Sequence, residues 1–85
     1  MIILIADLLF IPIGRTELDI EGLIFPCIVH KVDHMLLSEI SEDTIGQAGY
    51  LSRDQAGKDM GIEAPYDSLP DGLVTVLTVS PRSLY

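Results

Sequence analysis

The sequence is poor in the residues that cross-link a fold or carry positive charge. Its 85 residues include one cysteine, no tryptophan and only five Lys and Arg. One cysteine cannot form an internal disulfide, which excludes a disulfide-stapled secreted scaffold and makes a reducing cytoplasm the expected compartment. The basic residues are isolated and lack interleaved aromatics. The pattern typical of proteins that bind RNA or single strands is therefore absent.

Apolar and acidic residues dominate instead. Thirteen Asp and Glu give a formal charge of −8, which repels phosphate backbones and anionic lipid and favours basic partners. The length and the 48% hydrophobic content predict a single domain, residues 1–85, with one modest core. The apolar opening, residues 1–13, lacks a basic start and a cleavage site, contains Asp7 and is too short to span a bilayer. We expect a core strand there.

The order of elements predicts strands at both ends and helices between them. Residues 2–13 are apolar on both alternating faces, which is typical of a strand buried on two sides, and residues 14–22 form a polar, acidic connection. Residues 23–37 predict a long strand with irregular pairing near Pro26. One face of that strand should carry Ile28, His30, Val32, His34 and Leu36, and the other should carry Val29, Lys31, Asp33, Met35 and Leu37.

Two short helices should follow this strand. Ser41 has the character of an N-cap, with Glu42 and Asp43 in the first turn and Gly49 as the stop. Ser52 and Gln55 have the spacing of a capping box, which predicts a second helix over residues 53–60 that ends at Gly61. Gly57 weakens this helix.

A turn-rich loop over residues 62–72 and a last strand over residues 73–79 complete the chain. The helical part is too broken to serve as the crossover helix of a βαβ unit. The predicted fold class is therefore α+β, with a small curled, mostly antiparallel sheet or partial β-barrel and two short helices.

Several segments resemble the later part of the ASCH domain, a branch of the PUA-like β-barrels. They are residues 6–11 (ADLLFI), 27–32 (CIVHKV), 37–43 (LSEISED) and 47–52 (QAGYLS), and residues 73–79 would be the closing strand. The resemblance implies a partial PUA-like barrel. ASCH domains usually begin with a G-x-K-x-x-T-x-R motif whose Lys and Thr line the cleft, and this motif is missing here. Lys31 and Lys58 lack its spacing, so the resemblance transfers no enzymatic or nucleic-acid-binding residue.

A barrel without its first strand region leaves a sheet edge uncovered. Self-association of the exposed edge, most simply as a twofold homodimer, is the expected remedy.

No catalytic, metal or cofactor site is predicted. Cys27 and His30 point to opposite faces of a regular strand, so they cannot form a nucleophile and base pair. His30 and His34 share a predicted face but lie about 13 Å apart by strand rise, too far to bind one metal ion. We therefore expect no intrinsic hydrolase activity.

The candidate partner-binding residues are acidic. They are Glu17, Asp19, Glu21, Glu42, Asp43, Asp54 and Asp59. The leading hypothesis is a non-enzymatic module that binds a basic, nucleic-acid-handling protein, in the manner of a small phage-type inhibitor such as an anti-CRISPR protein. The alternative is a degenerate ASCH domain that binds RNA or a modified nucleoside, or hydrolyses acetylated cytidine. A purely structural or self-associating protein is a third possibility.

Overall fold

The computed structural model describes residues 1–7, 10–20 and 22–82 and shows an open, four-stranded antiparallel sheet with two short helices. The strands are β1 (Ile2–Asp7), β2 (Gly14–Ile20), β3 (Leu23–Leu36) and β4 (Leu73–Pro81). Between β3 and β4 lie a 3-10 turn (Leu37–Glu39), α1 (Glu42–Gln47) and α2 (Arg53–Met60). The strand order is β1-β4-β3-β2, and the predicted α+β class is confirmed.

The opening apolar run is not one strand buried on both faces, and that prediction is wrong. β1 ends at Asp7 and forms an edge of the sheet, with Ile5 as its one buried side chain. Leu8 and Leu9 lie outside the described residues, and residues 10–13 are not in a strand. Ile11 packs on the sheet from outside it. A continuous apolar run does not distinguish a strand from an extended segment that packs across a sheet.

The predicted acidic connection over residues 14–22 is also wrong, because most of it is β2. This edge strand pairs with β3 as a hairpin, with Leu18 opposite Phe25. Its carboxylates at Glu17 and Asp19 alternate with Thr16 and Leu18, as in a strand with one solvated face. At the turn, the Gly22 N–H donates to the Asp19 carboxylate over 3.0 Å. The charges that suggested a linker belong to the solvated face of a strand.

A bulge at His30 interrupts the regular alternation of β3. Val29 lies opposite Val79 and Lys31 opposite Thr78, so His30 is the extra residue. Within each half of β3, alternate residues share a face of the sheet as predicted. Across the bulge, odd and even residues exchange faces. Val29 and Val32 therefore pack in the same core, and the two predicted faces of this strand are wrong as continuous sets. The irregularity lies at His30 rather than at Pro26, which stays in register with Glu17.

The sheet packs a separate group of apolar side chains on each face. The first core lies under the helices and contains Ile5, Leu37, Ile40, Ile45, Ala56, Val74 and Val76. The second core lies on the opposite face and contains Cys27, Val29, Leu77 and Val79. Because β4 is central, its alternate residues contribute to both cores.

Both predicted helices and their N-cap serines are confirmed, but the capping box is only half formed, because the Gln55 side chain accepts from the Leu51 N–H and not from that of Ser52. The Ser41 hydroxyl accepts from the Thr44 N–H, and the Ser52 hydroxyl accepts from the Gln55 N–H. α2 ends at Gly61, which has a φ of 72°. Close packing against Tyr66 requires glycine at position 57, because a Cβ there would lie 2.5 Å from the tyrosine ring. The predicted loop over residues 62–72 supplies that tyrosine.

Arg53 connects the helical elements to each other. Its guanidinium donates to the carbonyl oxygens of Leu37 and Ile40 and lies 2.6 Å from the Glu42 carboxylate. The planar fork of donors suits several acceptors at once, which a lysine ammonium does not match. One side chain at the start of α2 therefore fixes the 3-10 turn and the start of α1.

We expect Arg53→Lys to lower the free energy of unfolding by about 1–3 kcal/mol, because the part-buried Ile40 carbonyl loses its donor and the Leu37 carbonyl keeps only the Ile40 N–H. Urea denaturation measures the change. Arg15→Lys is the matched control, since Arg15 is exposed on β2, and Glu42→Gln should cost under about 1 kcal/mol as an exposed ion pair. Equal stability of the Arg53 and Arg15 variants would contradict this role.

Candidate functional site

A groove of about 770 Å³ runs between the two edge strands. Residues 4–7 of β1 line one side, residues 16–19 of β2 line the other, and residues 10–12 also contribute to the lining. These strands occupy opposite ends of the strand order, so the sheet must curl for both to border one groove. We call this feature the edge groove. It lies where a closed barrel would have further strand pairing.

The floor of the edge groove is apolar. Leu4, Leu18 and Ile11 pack there against the second core, above the buried Leu77. Phe10 also lines the groove, and it remains 83% exposed although its ring lies 5.2 Å from the ring of His34. A large aromatic side chain left this exposed beside an apolar floor is typical of an interaction surface.

Four carboxylates lie around this floor. Asp7 and Asp59 come from β1 and α2, and Glu17 and Asp19 come from β2. Glu17, Asp19 and Asp59 were predicted as binding residues from the acidic sequence, and the structure brings these three to one groove. Asp7 also borders the groove but was not among the predicted residues. It could have been noticed in the sequence, because it is an acid within an otherwise apolar run.

The other predicted acidic residues lie elsewhere. Glu42 and Asp43 occupy the first turn of α1, and Asp54 occupies the first turn of α2. Glu42 is bound by Arg53, whereas Asp43 is exposed and has no hydrogen bond or ion pair among the described residues. Glu21 lies outside the described residues. The seven predicted residues therefore do not form one continuous site in the described structure.

Two of the carboxylates accept hydrogen bonds from tyrosines. The Tyr50 hydroxyl donates to Asp59 over 3.1 Å, and the Tyr66 hydroxyl donates to Asp54. Burial, followed by the bond and charge of Asp59 and the charge of Asp7, raises the pKa of Tyr50. The bond to Asp54, followed by burial, raises the pKa of Tyr66. Asp54 and Asp59 are exposed but also hold tyrosines in place.

Most of the basic side chains are engaged by carboxylates of the same chain. Arg53 pairs with Glu42, Lys31 with Asp33 at 3.4 Å, and Arg82 with Glu17 at 3.6 Å. Over residues 1–7, 10–20 and 22–82, Arg15 and Lys58 form no such pair. The described surface therefore presents carboxylates more readily than free cations.

The cysteine and the histidines do not assemble into a reactive site. Cys27 is fully buried in the second core, and burial raises the pKa of its thiol, although Arg82 opposes this. His30 is exposed on the opposite face and lies 2.8 Å from the Ser80 hydroxyl. The bulge places His34 on the face opposite His30, so the prediction that the two histidines share a face is wrong. Within the described ranges, no three metal-ligating side chains come together.

Comparisons of the chain with protein-family models, curated proteins and solved structures found no match. The resemblance to the ASCH domain therefore stays a hypothesis. In the part of the chain that the structure describes, every helix is too short or too polar to cross a membrane.

The tyrosine bonds predict a stability loss at high pH. A hydroxyl whose pKa is raised by folding contributes stability that is present below its ordinary pKa of 10.0 and lost as the pH rises through the folded value. We expect Tyr50→Phe to cost about 1 kcal/mol at neutral pH and to reduce the loss of stability above pH 10. Urea denaturation across this pH range measures both effects. An unchanged pH dependence in the Tyr50→Phe, Tyr66→Phe double variant would contradict the assignment.

Proposed function

We propose that this protein is a non-enzymatic, acidic binding module that acts through contact with a basic surface of another protein. The main supporting observation is the edge groove, where an apolar floor with an exposed Phe10 is bordered by four carboxylates. Apolar contact would supply affinity, and the carboxylates would select a basic partner.

The distribution of charge supports a protein partner over a nucleic acid. The formal charge is −8, and Arg53, Lys31 and Arg82 already pair with carboxylates of the chain. Binding to a phosphate backbone depends on Lys and Arg that replace counterions. Two unpaired cations among the described residues, Arg15 and Lys58, offer little for that purpose. A protein surface that binds nucleic acid is basic, so it would attract this acidic protein.

The proposed partner is a basic protein that handles nucleic acid, and the module would inhibit it by occupying its nucleic-acid site. A small phage-type inhibitor of the anti-CRISPR kind fits this description. The buried, unpaired Cys27 is compatible with a cytoplasmic location.

The alternative is a degenerate ASCH domain that keeps a nucleoside or RNA cleft. The volume of the edge groove favours this alternative, because it falls in the range of small-molecule pockets. Its acidic border opposes a phosphate-bearing ligand. The groove also lacks a lysine among its described lining residues.

Charge reversal should weaken partner binding. The test variant carries Asp7→Lys and Glu17→Lys, and the control carries Asp67→Lys and Asp71→Lys, which change the formal charge equally on an exposed loop. Neither pair removes a tyrosine bond, but Glu17→Lys removes the ion pair with Arg82, so urea denaturation must show that the test variant is as stable as the control before binding is compared. Each protein is immobilised and exposed to nuclease-treated lysate. We expect wild type to retain basic proteins and to release them as the salt concentration is raised, since screening at about 0.15 M limits charge attraction to roughly 8 Å.

The competing functions predict different results in that experiment. Equal retention by all three proteins at every salt concentration would refute the proposed function. Tighter binding of single-stranded RNA by wild type than by the reversed variants would support the RNA-binding alternative. Equal weakening by both double variants would indicate attraction by net charge without a preferred groove.

We also expect no hydrolysis of acetylated cytidine by the purified protein. Cys27 is buried away from His30, and Lys31 lies beside Asp33 on an exposed part of β3. Chromatographic detection of released cytidine measures the activity. Glu39 lies near the position where ASCH domains place an acid. Turnover that is lost in Lys31→Ala or Glu39→Ala but kept in Lys58→Ala would show a catalytic site and contradict the proposal.

A further inference from the structure

We propose that the edge groove binds an extended, basic segment of the partner as an added β-strand between β1 and β2. The inference rests on the proposed function and specifies its binding mode. Such a strand would pair with one or both free edges, and its alternate side chains would meet the apolar floor and the carboxylates.

The free edges supply the first part of the argument. β1 and β2 each pair with one neighbour, so half of their backbone N–H and C=O groups point away from the sheet. Among the described residues, no backbone hydrogen bond beyond the strand ladders uses residues 2–7 or 14–20. Four consecutive residues of each strand line the groove, which is the arrangement expected when a strand edge faces it.

Charge identifies the occupant. Asp7 and Asp59 lie on the β1 side of the groove, and Glu17 and Asp19 lie on β2, so a strand between them would have carboxylates on both sides. Lysine or arginine at alternate positions would reach these groups. A second copy of this chain would bring further carboxylates to the same place, so charge favours a basic segment over the homodimer predicted from the sequence.

Phe10 is the expected anchor for the apolar side chains of the segment. It is 83% exposed, so its removal should cost the free protein little stability. Exposed aromatic residues at the centre of an interface often supply a large share of the affinity. Leu51 offers a matched control, because it is 93% exposed but lies outside the groove, between α1 and α2.

The test uses a blocked synthetic peptide in which lysine and valine alternate over about eight residues, close to an ordinary strand length. Fluorescence anisotropy measures its affinity, and amide hydrogen exchange on the wild-type protein locates it. We expect added protection at residues 4–7 and 16–19. We expect Phe10→Ala to weaken binding about tenfold, Asp7→Asn about twofold to fivefold, and Leu51→Ala and Asp67→Asn not measurably.

Peptide variants test the backbone pairing directly. Methylation of alternate backbone nitrogens removes donors along one edge of the peptide, so it should weaken binding if the peptide joins the sheet. A peptide that alternates glutamate and valine tests the charge, and it should bind far more weakly. Equal binding of the acidic peptide, or indifference to methylation, would overturn the proposal.

The remaining outcomes separate this inference from the proposed function. If basic proteins bind with charge sensitivity but no protection develops at β1 or β2, the strand-addition mode is wrong and the function stands. If neither the peptide nor any basic protein binds, both are wrong. Light scattering that shows a dimer, with protection of both edges that grows with protein concentration alone, would assign the groove to a second copy.

Discussion

The fold depends on the insertion of β4 between β1 and β3. The last strand of the described chain is central in the sheet, and it pairs with the first strand on one side and with the longest on the other. Val74 and Val76 pack in the first core and Leu77 and Val79 in the second, so both faces of one strand are buried. Without β4, β1 would have no hydrogen-bonded neighbour and neither core would be complete.

β4 and β3 occupy the centre of the sheet, which leaves β1 and β2 at its edges. β1 and β2 precede β4 in the chain, and the curl of the sheet turns their free sides toward one groove. The helices cover the face that contains Val74 and Val76. The opposite face is only partly covered by residues 10–12, so its border is the place where an apolar floor meets solvent.

Acidic side chains make the border of the edge groove negatively charged. Acidic side chains outnumber basic ones, and internal ion pairs occupy Lys31, Arg53 and Arg82. Arg53 serves the fold, because it holds carbonyl oxygens of Leu37 and Ile40 that would otherwise lack this donor. Arg82 pairs with Glu17, which is itself a groove carboxylate, but Asp7, Asp19 and Asp59 form no ion pair among the described residues and are a physical basis for selecting a basic partner.

The sequence by itself determined the features that depend on neighbouring residues. The caps at Ser41 and Ser52, the left-handed stop at Gly61 and the strand character of β3 and β4 follow from local hydrogen bonding and backbone preference. The general acidity, and with it three of the four groove carboxylates, was also readable. The tertiary structure decided the rest. β2 is a strand because β3 lies beside it, and the bulge at His30 is a shift in the register between β3 and β4. Asp7 and Asp59 meet Glu17 and Asp19 only because the sheet curls, and contacts between residues far apart in the chain leave no local pattern from which that meeting can be predicted.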